Sequence, residues 1–109
     1  MDKSEKIEII NNSVLSVIGV NNKFINHKRA TRKELFALII LAYHLNNKDE
    51  IGIKKKQIAK YLHHSNSCIT YYLSSFDKFY KFNKEFRELA TEISNKIEND
   101  FNAVRTLEK

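Results

Sequence analysis

His63 and His64 stand side by side, and Cys68 follows four residues after the second. Imidazole and thiolate bind transition metals, but this set offers three donors and no fourth. The expected reading is therefore a turn leading into a helix with a small thiol behind it, and no metal. Just upstream, Lys54, Lys55, Lys56 and Lys60 place four cations within seven residues. That is phosphate-clamping chemistry, in which each neutralised phosphate adds about one unit of salt dependence. Lys28, Arg29 and Arg32 form a second basic group, suited to a phosphate or to the minor groove, with Arg32 equally placed to sit in the first turn of a helix. Asn66, Ser67, Thr70 and Tyr71 are small polar groups with one aromatic. Asparagine pairs bidentately with adenine, whereas serine and threonine are less selective. Asn66 also suits a helix N-cap, which is its expected main role.

Catalytic patterns do not emerge. Glu34, Asp49 and Glu50 lack a paired acid–base context, and no serine lies in a nucleophile elbow. Gly19 precedes Val20 and Gly52 precedes Ile53, so neither glycine can close a P-loop. The expectation is a binding protein, not an enzyme, with no cofactor and no small-molecule substrate. One cysteine excludes an internal disulfide framework. The first dozen residues mix charge with asparagine, unlike a secretory leader, and the apolar run Leu35 to Tyr43 is far short of the ~20 residues of a membrane span. A cytoplasmic, nucleoid-associated protein is expected.

The elements that must position these residues follow from periodicity. The 109-residue length suits one domain over 1–109, and 42% apolar residues are enough to build a core. Two glycines and no proline leave little turn chemistry for a multi-stranded sheet. Ile7, Ile10, Val14, Val17 and Ile18 keep helical spacing, with Gly19 placed for a left-handed cap. Thr31 and Glu34 form a capping box ahead of a helix that is apolar on most sides and ends at Asn46-Asn47. Lys54 to Leu62 reads as a short helix burying Ile58, Ala59 and Leu62. A second begins near Asn66, with Ile69, Leu73 and Phe76 inward and Ser67, Thr70, Tyr71 and Ser74 outward. Together they predict a helix-turn-helix over about 54–76. Of the aromatic cluster Tyr71, Tyr72, Phe76, Phe79, Tyr80 and Phe82, all but Tyr71 are expected in packing. Asn83 is placed to cap a closing helix over about 84–101, packed through Phe86, Leu89, Ile93 and Ile97. The predicted fold is all-α, a compact bundle of about five to six helices.

Charge concentrates where the motif lies. Residues 23–60 hold ten Lys/Arg against three acidic groups, a net +7, while 85–109 hold four against six, a net −2. The whole chain carries +6. A positive surface of this kind attracts polyanions, most often nucleic acid.

The order of elements resembles the C-terminal DNA-binding domain of the bacterial replication initiator DnaA, of the Trp-repressor-like helix-turn-helix class, from about Ile7 to Ile97. Ile18-Gly19-Val20 is similar to the stretch before that family's basic loop, and Lys28-Arg29-Ala30-Thr31-Arg32 to the loop itself. Leu41-Ala42-Tyr43-His44-Leu45 resembles the long-helix pattern Ile-Ala-Met-Tyr-Leu. Gln57 to Leu62 corresponds to the first helix of the motif, and Phe86-Arg87-Glu88-Leu89 to the closing helix. Where the family has Arg-Asp-His-(Ser/Thr)-Thr-Val, this chain has His64-Ser65-Asn66-Ser67-Cys68-Ile69. The family's DNA-box specificity is therefore not implied, and its ATPase belongs to a separate domain. The resemblance implies a double-stranded DNA binder regulating replication or transcription, of a phage or mobile-element kind. It places the basic-loop residues Lys28, Arg29 and Arg32 on DNA, and residue chemistry adds Lys54, Lys55, Lys56 and Lys60 as expected phosphate contacts. His64, Asn66, Ser67, Thr70 and Tyr71 fall at base or groove edges. The alternative is a helical protein-interaction module that keeps the fold without base readout.

Overall fold

Helix boundaries follow local chemistry closely in the computed structural model, which describes residues 2–19, 30–48 and 51–108. Helix α1 spans Lys3–Ile18. The Asp2 carboxylate accepts from the Glu5 N–H at 2.9 Å, and Gly19 closes the helix at φ 72°, its N–H donating to the Leu15 carbonyl. Only glycine adopts that left-handed cap without a Cβ penalty. Helix α2 spans Arg32–Asn46 behind the expected capping box, with both the Thr31 hydroxyl and the Glu34 carboxylate accepting from the other's backbone N–H.

Helices α3 (Lys55–Leu62), α4 (Asn66–Phe82) and α5 (Lys84–Glu108) complete an all-α bundle of five helices among the described residues. Every residue from Phe36 to Ala42 is buried, so α2 is covered on all sides and the others pack around it. At the centre, Phe86 meets Phe36 edge-on at 5.2 Å and packs against Phe76 and Phe79 at 5.4 and 5.6 Å. Tyr43 stacks flat on Phe76 at 3.8 Å, fastening α2 to α4. No helix among the described residues is long and apolar enough to cross a membrane.

Two expectations change. The closing helix does not stop near 101: it continues to Glu108, with Phe101 and Val104 half-buried along the same face. No glycine or proline interrupts that stretch. Helix α4 likewise runs through the aromatic stretch to Phe82, and the single residue Asn83 joins it to α5. The Asn83 side chain accepts from the Phe86 N–H at 3.0 Å, the cap its position predicts.

Polar clips between distant segments supplement the apolar core. The buried Ser13 hydroxyl lies 2.6 Å from an Asp100 carboxylate oxygen and 2.7 Å from the Ile9 carbonyl, and its one proton serves either acceptor. Lys96 donates to the other Asp100 oxygen at 2.9 Å. Burial pushes the Asp100 carboxyl upward, but the bonds from Ser13 and Lys96, with the Lys96 charge, outweigh it and leave the group below its ordinary value. A carboxyl depressed in the folded state stabilises above its unfolded value, near pH 4. That stabilisation disappears as pH falls through the lower folded value. Asp100→Ala is accordingly expected to cost about 1–2 kcal/mol at pH 7 in urea unfolding, because Ser13 can still turn to Ile9. The gap from the parent protein should therefore narrow as the pH is lowered through the acid range and Asp100 takes up its proton.

Candidate functional site

The turn between α3 and α4 is built from two adjoining caps. The His63 N–H donates to the Lys60 carbonyl, and the His64 N–H to the Ala59 carbonyl at 3.0 Å. These paired bonds are the Schellman ending of a helix, which requires a left-handed residue at its centre. Here that residue is His63 at φ 59°, the one non-glycine among the described residues with positive φ. A side chain is disfavoured in this conformation, so the turn holds backbone strain at His63 that a glycine would not carry.

Ser65 then caps α4, its hydroxyl accepting from the Cys68 N–H at 3.2 Å. The expected N-cap role of Asn66 is thereby corrected. Two good cap formers are adjacent, and the burial of Ile69 and Tyr72 sets the register that gives the role to Ser65. Asn66 becomes the first helical residue, exposed, its side chain spared from capping.

The inward face of α4 is also rotated from the expected one. Tyr72 is fully buried while Leu73 is half-buried. The Tyr72 hydroxyl lies 3.3 Å from His64 Nδ1 and the two rings meet edge-on. Burial, followed by the neighbouring Cys68 and Tyr71, raises the Tyr72 hydroxyl well above the ordinary tyrosine value, so it stays a neutral phenol. His64 is therefore half-buried on Tyr72, in contrast to the exposed side chains of Asn66, Ser67, Thr70 and Tyr71. Sequence spacing gave no sign of this pair.

Ser67, Thr70, Tyr71 and Ser74 are exposed as expected, along one side of α4 with Asn66. Lys54, Lys55, Lys56 and Lys60 are all exposed on the adjoining α3. Lys54 is the N-cap residue, not the first helical one, and makes no side-chain capping bond. The first turn of α3 holds no acidic residue. Cations here oppose the helix dipole at a cost of about 0.3–1 kcal/mol each, and no acidic side chain among the described residues is paired with them.

Arg32 is differently placed. It pairs with Glu85 at 3.7 Å and lies over the Phe36 ring at 5.4 Å, in the first turn of α2. Phe36 packs on Phe79, so Arg32 sits near the C-terminal end of α4, about 20 Å along the helix from Asn66 at the usual rise per residue. Lys28 and Arg29 lie outside the described residues.

No family model, curated protein or solved structure matches this chain. The candidate site therefore stands on its own chemistry. Among the described residues no three His, Cys, Asp or Glu side chains are grouped to hold a metal. The aromatic cluster is mixed, not all packed: Tyr80 is 44% and Phe82 81% exposed. His44, which showed no partner in the sequence, is buried with Nε2 3.2 Å from the Ser94 hydroxyl. It borders a cavity of about 590 Å³ between α1, α2 and α5, which none of the expected site residues line.

Proposed function

We propose that this chain binds double-stranded DNA through α3, the 63–65 turn and α4, acting as a helix-turn-helix with α4 in the major groove. The observation that carries the reading is the pairing of two exposed features. The outward side of α4 is made of small polar groups, and α3, joined to it by the 63–65 turn, has a lysine-rich start with neither a capping side chain nor an acid. Phosphates would satisfy that start, while the α4 side chains reach base edges. The resemblance to the DnaA C-terminal domain supports the same assignment and a role in regulating replication or transcription at the nucleoid, of the phage or mobile-element kind.

Fluorescence anisotropy against a mixed-sequence duplex tests it. With four lysines engaged, affinity should fall about 100-fold between 50 and 200 mM salt. Absent binding, or binding indifferent to salt, overturns the proposal.

A second reading, a protein-interaction module, is favoured by the exposed Tyr80 and Phe82 on the C-terminal half of α4, flanked by Lys78 and Lys81. Light scattering distinguishes it: a stable dimer without DNA affinity supports this reading, and a monomer that binds duplex removes it.

A further inference from the structure

We propose that α4 reads A·T base pairs, so that the sites this protein selects are A·T-rich across the positions the helix covers. The inference rests on the DNA-binding reading above and names its target class. The outward side of α4 carries Asn66, Ser67, Thr70, Tyr71 and Ser74, with no arginine, lysine or carboxylate among them. Specific contact with guanine most often uses Arg or Lys on O6 and N7, and contact with cytosine uses Asp or Glu on N4. The first acid on α4 is Asp77 and the first cation Lys78. Both are three turns from Asn66, about 17–18 Å along the axis. His64, the nearest imidazole before the helix, is packed on Tyr72.

The groups that remain match adenine and thymine. Because Ser65 takes the cap, the Asn66 amide is left to pair with adenine N6 and N7. The Thr70 hydroxyl donates to the Asn66 carbonyl at 3.0 Å, and the Ser74 hydroxyl donates to the Tyr71 carbonyl at 3.1 Å. Both hydroxyl protons are engaged on helix carbonyls, which leaves them less available to acceptors on any base edge. What Thr70 offers that distinguishes A·T is its methyl group, since its oxygen lone pairs accept from adenine N6 and cytosine N4 alike. Tyr71, 45% exposed and braced edge-on by Tyr72 at 6.0 Å, adds apolar ring surface. Methyl and ring surfaces suit the thymine C5-methyl, which cytosine lacks.

The test compares two duplexes with identical flanks, one with an alternating A·T centre and one with an alternating G·C centre, by competition anisotropy at fixed salt. The A·T duplex should bind at least tenfold tighter. A triple variant, Asn66→Ala/Thr70→Ser/Tyr71→Ala, should lose that preference, its affinities for the two duplexes converging. Equal affinity of the parent protein for both duplexes, or tighter G·C binding, overturns the inference and leaves the DNA-binding reading standing. A preference kept by the triple variant also overturns it, since duplex shape would then be the source. Failure to bind either duplex overturns both.

Discussion

Replacing Phe86 by alanine will cost this fold about 3–5 kcal/mol, the range measured when a buried phenylalanine is cut back to a methyl. Phe86 has no solvent exposure and touches rings from α2 and α4 while being anchored on α5. Its removal leaves a void that Phe36, Phe76 and Phe79 cannot close together, because Phe36 is held on α2 and the other two on α4. For a chain of this length the midpoint should drop by about 15 °C or more, followed by thermal circular dichroism. Phe86→Leu keeps most of the volume and should lose less than half as much. Equal stability of the alanine variant and the parent would show that the three-helix aromatic centre does not hold the bundle together.

The double reversal Lys54→Glu/Lys55→Glu should produce the largest functional effect, and it should move two measurements in opposite directions. Under the DNA-binding proposal it removes two phosphate contacts and substitutes repulsion. Duplex affinity then falls on the order of 100-fold, and the salt slope shrinks by about two units. The folded protein should nevertheless become more stable. Lys54 and Lys55 occupy the N-cap and first position of α3, where carboxylates favour the helix dipole by about 0.3–1 kcal/mol each. Both side chains are exposed, so no packing is lost. Reduced binding in a protein that melts higher separates loss of contact from loss of structure. Unchanged affinity would remove the lysines from the interface.

Local signals in the sequence translated well. The capping box at Thr31 and Glu34, the left-handed Gly19 and the Asn83 cap each involve residues within one turn, and each forms as its pattern dictates. The apolar pattern of α2 likewise identified the central helix. What the pattern missed involves partners far apart in the chain. Ser13 meets Asp100, His44 meets Ser94, and Arg32 meets Glu85 only once the bundle has closed. The site was legible in its outward residues because exposure on α4 follows helical period. It was not legible at Asn66 and His64. There, two neighbouring cap formers competed, and a tyrosine eight residues on claimed the imidazole.

One residue, Asn83, separates the last turn of α4 from the first turn of α5, and its side chain is committed to the cap. Such a joint has no slack. Helix α4 cannot swivel about its own axis without turning α5, which is clasped to α1 through Ser13 and Asp100. Under the DNA-binding proposal, a duplex arriving at the outward side of α4 would meet a helix whose orientation is already set, so the ordering left to occur on contact is that of its side chains. Encounter rates should then follow diffusion and charge attraction instead of waiting on a conformational search.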